Sequence, residues 1–212
     1  MRSNANRNGI ELKLSAVRGE FVKKMLKFLN IGYLRIGTYR QQEAYKALIS
    51  SHIMDILDPY TPILVGTIPL EIDLPHSDLD IACEVHDLHG FRHEMEARLR
   101  PFSPLHLAIG VINGQPYITI SFTYEGWDIE IFGQPVPTTT QNSFRHMIVE
   151  WRLLELIGEN GKQDILNMKR AGFKTEPAFA EYLKLAGNPY ESLLMLADLS
   201  DAALQRFVEA AR

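Results

Sequence analysis

Residues 78–85, DLDIACEV, constrain the fold of this chain more than any other stretch. Acidic and apolar side chains alternate at its start, and a period of two is the side-chain period of a β-strand. Asp78 and Asp80 therefore lie on one face of a predicted strand, while Leu79 and Ile81 lie on the other. Two like charges side by side repel each other unless a cation or a proton lies between them. The run predicts a strand of a sheet with a cation site beside it.

The other strands are predicted from short apolar runs bounded by turn residues. PILVG and GWDIEIFG are runs of this kind. HLAIGVI and PYITISFTY are separated by Asn113-Gly114, which is a strong signal for a β-hairpin. These runs together predict a mixed β-sheet.

Apolar residues at helical spacing predict helices on both sides of the strand region. We expect helices at 14–29, from after Thr38 to 57, and at FRHEMEARLR. From about Thr140 onward the pattern is helical and is divided at Gly158, Gly172 and Gly187. The predicted fold class is α+β, with a mixed β-sheet flanked by helices and a C-terminal helical half. We expect a mobile tail at 1–12, an α/β domain at 13–139 and a helical region at 140–212 that packs on it.

Composition excludes some classes of partner. The chain has 22 Lys and Arg against 26 Asp and Glu, so its net charge of -4 provides no broad cationic surface for duplex nucleic acid. No apolar run approaches the roughly 20 residues that cross a bilayer, and we expect a cytoplasmic protein that does not contact membranes. Cys83 is the only cysteine, and its apolar neighbours predict a buried, unreactive thiol.

A second acidic strand supplies further carboxylates. In GWDIEIFG, Asp128 and Glu130 share one face, and either of them would complete a three-carboxylate site for Mg²⁺, or for Mn²⁺, with Asp78 and Asp80. The step Gly66-Thr67 follows a buried strand, where a glycine lets the backbone approach a phosphate. The structural alternatives are that the aspartates cap a loop or face solvent, and that Gly66-Thr67 is only a turn.

The order of these pieces resembles a known superfamily. A strand, Gly-Thr, ten residues and Asp-Leu-Asp-Ile, followed by a later acidic strand, is similar to the signature of polymerase-β-type nucleotidyltransferases. The ending PHSDLD looks most like their minimal and antibiotic-modifying members, and the resemblance covers about residues 60–132. Longer runs, including YLRIGTYRQQEAY, FRHMIVEWRLL and FKTEPAFAEYL, look like a bacterial family of functionally uncharacterised proteins.

That resemblance implies a nucleotidyltransferase-like fold and a role for each matching residue. Gly66 and Thr67, with Ser77, would face the triphosphate, and Asp78 and Asp80 would bind the metal. Glu130 or Asp128 would be the third ligand or the general base. Glu130 is preferred, because Asp128 lies nearer the start of its strand.

One departure from the superfamily concerns positive charge. Many members carry basic residues just after the glycine step, whereas residues 68–71 here are Ile, Pro, Leu and Glu. If the helical half closes over the carboxylates, other residues could supply cationic or polar contacts to phosphate: Arg145, His146, Lys169, Arg170 and Lys174.

The resemblance implies a Mg²⁺-dependent enzyme that transfers a nucleoside monophosphate from an NTP to a hydroxyl of a small molecule or a protein. The expected partners are therefore a nucleotide and a hydroxyl acceptor. The alternative is a catalytically inactive nucleotide-binding or regulatory domain of the same fold, for which a toxin-antitoxin role rests on fold analogy alone.

Overall fold

The computed structural model describes residues 24–211 and has one mixed sheet of five strands at its centre. The strands lie in the order β1-β2-β5-β4-β3, with β2 and β5 parallel and every other pair antiparallel. The α+β class predicted from the sequence is confirmed. The strands are β1 Ile63–Val65, β2 Leu79–Glu84, β3 His106–Ile112, β4 Gln115–Tyr124 and β5 Trp127–Gln134.

Helices cover both faces of this sheet. Short 3₁₀ turns at Lys27–Leu29, Ile31–Ile36, Asp58–Tyr60, Arg100–Phe102 and Thr138–Thr140 connect elements. The α-helices are α1 Tyr39–Ser50, α2 Ile53–Leu57, α3 Leu88–Arg98, α4 Asn142–Arg170, α5 Thr175–Tyr182, α6 Pro189–Ala197 and α7 Asp201–Ala211. None of the helices among residues 24–211 is long and apolar enough to cross a membrane.

The helices that precede the sheet differ in part from the prediction. Thr38 starts α1 with a reciprocal capping box to Gln41, as expected, but the single helix predicted to reach residue 57 is wrong. His52 has a left-handed backbone with φ of 55°, which ends α1 and starts the separate helix α2. The tail predicted at 1–12 and most of the helix predicted at 14–29 lie outside the described residues.

The strands β3, β4 and β5 form a meander with two tight turns. Asn113 and Gly114 have φ of 51° and 76°, and Glu125 and Gly126 have φ of 48° and 80°. Positive φ at both central residues is the pattern of turns whose twist matches that of paired strands. The hairpin predicted at Asn113-Gly114 is confirmed.

The sheet separates two hydrophobic cores. The far-side core contains Ile81 of β2 and Ile129 of β5, together with α1, α2 and α3. The cavity-side core contains Ile63 and Val65 of β1 and Ala82 of β2, together with the C-terminal helices. The alternation predicted for both acidic strands is thus confirmed, and the face with Asp80 and Glu130 is the one that the C-terminal helices cover. The domain boundaries themselves stay predictions.

A break in α4 gives the helical half its shape. Gly158 has φ of 71° and ψ of -173°, a conformation outside the helical region, and it divides α4 into two segments. A straight helix would hold Glu150 and Lys169 roughly 28 Å apart. Because of the break, these two charges are close enough to interact. The sequence predicted a division at this glycine.

Candidate active site

A cavity of about 760 Å³ lies between the sheet and the C-terminal helices. Its walls come from the loop at residues 66–78, from β2 and β5, from the tip of the β3–β4 hairpin, and from α4 and the start of α5. Asp78, Asp80 and Glu130 all line it. Residues from several separate parts of the chain therefore face one cavity.

The acidic residues are brought together by strand register. Asp80 on β2 is the direct partner of Glu130 on β5, and neighbouring strands lie about 4.8 Å apart. Asp78 lies one residue before β2 and is exposed at the cavity. Asp128 also precedes Glu130 on its face, but it is exposed, accepts a 3.0 Å hydrogen bond from Thr123 and does not line the cavity.

Burial and mutual repulsion act on this group. Burial, together with the charges of Asp78, Glu130 and Glu176, raises the pKa of Asp80 to about 7. Burial and Asp78 also raise the pKa of Glu130. A divalent cation would relieve this repulsion, and a donor set made only of carboxylate oxygens suits Mg²⁺ or Mn²⁺.

The predicted phosphate-facing turn lies against these carboxylates. Gly66 has φ of 81°, and a Cβ at this position would fall on the carboxylate of Asp80. The Thr67 hydroxyl donates to Ser77 Oγ at 3.3 Å, and Ser77 Oγ also accepts from the backbone N–H of Leu74 at 2.9 Å. Gly66, Thr67 and Ser77 all line the cavity, so the loop returns to the place where it started.

Packing explains why residues 68–71 carry no positive charge. Ile68 and Leu70 are buried, so these side chains belong to the cores and not to the cavity wall. Glu71 turns outward and accepts a 3.0 Å hydrogen bond from Lys162. The departure from the superfamily pattern is therefore a consequence of how this loop packs.

Three long side chains hold the same loop through its backbone carbonyl groups. Gln41 Nε2 donates to the carbonyl oxygen of Ile68 at 2.9 Å, and Arg40 Nη2 donates to that of Pro75 at 3.1 Å. Lys169 Nζ donates to the carbonyl oxygen of Ile72 at 2.6 Å. The loop is therefore tied both to α1 and to the second segment of α4.

The basic residues named from the sequence separate into two groups. Lys169 and Lys174 line the cavity. Arg145 does not line it, because its guanidinium donates to Asp198 at 2.7 Å. Arg170 does not line it either, and it donates to Asn167 within its own helix. Of the lysines and arginines named from the sequence, Lys169 and Lys174 are thus the ones that line the cavity with the acidic group.

A further group was only partly visible in the sequence. His146 was named there, and the structure adds Glu150 and Glu176 beside it, both of which line the cavity. Burial and the charge of Arg145 lower the pKa of His146 to about 4, and burial raises the pKa of Glu150 well above its ordinary value. The i, i+4 spacing of His146 and Glu150 was a usable signal, whereas no local pattern indicated Glu176.

Comparison with known protein families shows which family this chain belongs to. The family described as Domain of unknown function (DUF4269) matches residues 46–196. The chain belongs to the DUF4269 family. A match to a functionally uncharacterised family was expected from the sequence, and the bacterial origin of that family stays a prediction. The matched range of this DUF4269 protein contains every cavity residue discussed above. A search of curated proteins found no match.

Solved structures similar to this DUF4269 protein include two described as polymerases and one described as the GLD-2/RNP-8 complex. Cid1 poly(U) polymerase with MgGTP bound is 14% identical, with a TM-score of 0.48 over 76% of this chain and 50% of that chain. The polymerase core of TRAMP, an RNA surveillance complex, is 11% identical with a TM-score of 0.45, and the GLD-2/RNP-8 complex is 12% identical with a TM-score of 0.44. Both of these matches span 82% of this chain, and they span 58% of the TRAMP chain and 63% of the GLD-2/RNP-8 chain. Similarity at this level assigns no activity, so the function has to be inferred from the residues.

Proposed function

We propose that this DUF4269 protein is a metal-dependent nucleotidyltransferase that moves a nucleoside monophosphate from an NTP to a hydroxyl group. The observation that carries the proposal is the direct pairing of Asp80 with Glu130, beside Asp78 and the Gly66-Thr67 turn, in a single cavity. Asp78, Asp80 and Glu130 would hold Mg²⁺, which when bound neutralises phosphate charge and lowers the pKa of a bound hydroxyl.

The remaining chemistry falls to residues of the chain. The acceptor oxygen attacks the α-phosphorus, the bond from that phosphorus to the oxygen bridging to the β-phosphate breaks, and pyrophosphate leaves. Glu130, the cross-strand neighbour of Asp80, takes the hydroxyl proton. Lys174 and the backbone of the Gly66-Thr67 turn contact the phosphates. The acceptor is a hydroxyl of a small molecule or of a protein.

The first test measures nucleotide binding and consumption together. Calorimetry with ATP, GTP, CTP and UTP, each with and without Mg²⁺, gives affinity, and pyrophosphate release in the presence of a cell extract as acceptor source gives turnover. We expect Asp78→Asn to weaken Mg²⁺-dependent binding and turnover by about 100-fold or more, since even residues that only support a metal ligand contribute 10–100-fold. Unchanged Mg²⁺-dependent binding in Asp78→Asn would overturn the proposal.

A matched pair of variants identifies the third carboxylate. Glu130→Gln removes a charge inside the cavity, whereas Asp128→Asn removes a charge two residues away on the same face of the same strand. We expect turnover to fall by about 100-fold or more in Glu130→Gln and to stay within about twofold in Asp128→Asn. The reverse result would place the metal nearer the start of β5.

The second candidate is a binding domain without turnover. It is favoured by the packing of residues 68–70, because a buried apolar segment cannot supply the cationic contacts that many transferases place there. A nucleotide that binds in a Mg²⁺-dependent way but is never consumed, with any acceptor source, would support this candidate against the first.

A further inference from the structure

His146, Glu150 and Glu176 form a second cluster of metal-binding side chains on the helical wall of the cavity. One ligand-type atom from each of the three lies within 4.8 Å of the other two. None of these residues takes part in the nucleotidyl transfer proposed above. The cluster therefore needs an explanation of its own.

The chain builds the cluster from two helices. His146 and Glu150 are four residues apart in the first segment of α4, so their side chains lie on one face. The break at Gly158 turns the second segment back, and the chain then enters α5, whose first turn carries Glu176. Glu176 thus arrives opposite His146 and Glu150 because of the two turns that follow them in the chain.

Unpaired atoms distinguish this cluster from an ordinary polar contact. Glu150 is 4% exposed and His146 is 9% exposed. Glu150 Oε1 and His146 Nδ1 are closed off from solvent, and neither has a hydrogen-bond partner among the described residues. A buried polar atom without a partner costs roughly 1–3 kcal/mol, so native proteins seldom keep two together without a bound group to satisfy them.

The chemistry of the three residues selects the kind of ligand. A proton shared by Glu150 and Glu176, with the nearby ammonium of Lys169, would balance the charge but would leave the imidazole nitrogen unpaired. One nitrogen and two carboxylate oxygens suit Zn²⁺ and similar first-row ions, whereas Mg²⁺ prefers oxygen alone. Ligand atoms around tetrahedral Zn²⁺ lie roughly 3.4 Å apart, so the cluster would close by up to about 1.4 Å around such an ion.

We propose that His146, Glu150 and Glu176 bind a divalent first-row transition-metal ion, at a site separate from the Asp78, Asp80 and Glu130 group. Three protein ligands leave a coordination position that opens into the cavity, since all three side chains line it. The ion also connects α5 to α4 and satisfies the two unpaired atoms. This site shares no residue with the proposed transfer reaction.

Zn²⁺ binding to the chelator-stripped protein tests the site directly. Competition with a chromophoric zinc indicator gives stoichiometry and affinity, and Co²⁺ in place of Zn²⁺ gives a visible absorption spectrum that reports nitrogen and oxygen ligation. We expect one tight Zn²⁺ in the wild-type protein and an affinity lower by about 100-fold or more in Glu150→Gln. Glu176→Gln, which changes a less buried residue, should show the same loss and serves if Glu150→Gln fails to fold.

The control variant is the double substitution Asp78→Asn with Asp80→Asn, which removes charge from the other group in the same cavity. Tight Zn²⁺ binding should persist in this variant, with an unchanged Co²⁺ spectrum. Absence of binding in the wild-type protein would overturn the proposal. The proposal would also be overturned if the double variant lost Zn²⁺ binding while Glu150→Gln and Glu176→Gln kept it. Mg²⁺-dependent nucleotide binding, measured separately, tests the transferase proposal alone.

Discussion

At the scale of single residues, Asp80 connects the stability of the protein to pH. The pKa of Asp80 is about 7 in the folded state, above its ordinary value of 3.8. Between these two pH values the folded state keeps the carboxyl proton, whereas the unfolded state has already released it. The free energy of unfolding therefore falls as pH rises from about 4 to about 7 and changes no further above that through this group.

The first prediction isolates that contribution. In metal-free protein, Asp80→Asn should raise the free energy of unfolding at pH 8 by a few kcal/mol, on the order of 3, and should leave it nearly unchanged at pH 4. Urea unfolding of both proteins across this range, in the presence of a chelator, measures the difference. Other buried carboxylates affect the pH dependence of stability in both proteins alike. A difference in the free energy of unfolding that does not depend on pH would therefore contradict the pKa shift of Asp80.

The second prediction concerns Gly66, whose neighbour is the carboxylate of Asp80. Gly126→Ala is a matched control, because Gly126 has almost the same φ, 80° against 81°, and nothing lies near its missing Cβ. We expect Gly126→Ala to cost about 1 kcal/mol through backbone strain and Gly66→Ala about 1–3 kcal/mol more through the clash. Urea unfolding curves measure both costs. Equal costs would show that Asp80 moves aside freely.

At the scale of elements, the break in α4 positions Lys169 against the loop at residues 66–78. Gly158→Ala should lower the free energy of unfolding by about 1–3 kcal/mol, because an L-residue rarely adopts its φ and ψ. It should also speed hydrogen exchange in that loop, since the bond from Lys169 to the carbonyl oxygen of Ile72 depends on the break. Both effects are measurable by denaturation and by exchange mass spectrometry.

Gly187→Ala is the control for this third prediction. Gly187 has φ of 85° and lies between α5 and α6, beyond the segment that carries Lys169. A similar loss of stability is expected there, but without faster exchange at 66–78. If hydrogen exchange in the loop rises equally in both variants, the cause is general destabilisation and not a displaced α4 segment.

Sequence reasoning was successful wherever the determining pattern is local. The alternation around Asp80 and Glu130 assigned their faces, and Asn113-Gly114 assigned a hairpin, because both depend on adjacent residues. The end of α1 was missed, since Ser51 and His52 carry no strong breaking signal. Glu176 was missed because its place beside Glu150 depends on two distant turns.

At the scale of the whole molecule, the sheet is shared by two cores, each of which contains one of the two tryptophans. Trp127 belongs to the far-side core and Trp151 to the cavity-side core. The cavity-side core includes strand residues such as Ile63 and Ala82, so the C-terminal helices cannot detach without exposing the sheet. We propose that the two cores unfold together.

The fourth prediction uses this distribution of tryptophans. Trp127→Phe leaves a fluorescent reporter in the cavity-side core, and Trp151→Phe leaves one in the far-side core. In each variant, the urea transition followed by fluorescence should coincide with the one followed by far-ultraviolet circular dichroism. If the two probes separate in either variant, the helical half unfolds as an independent domain, as the predicted boundary near residue 140 would allow.

The contact between Gly66 and Asp80 also has an evolutionary consequence. A side chain at position 66 requires the Asp80 carboxylate to rotate away, a smaller residue at position 80, or a shift of the strand. Among descendants of a common ancestor, the two positions should therefore change together. A homologue that has lost its glycine at 66 should also have lost its acid at 80, and such pairs would mark the lineages in which the carboxylate group had been abandoned.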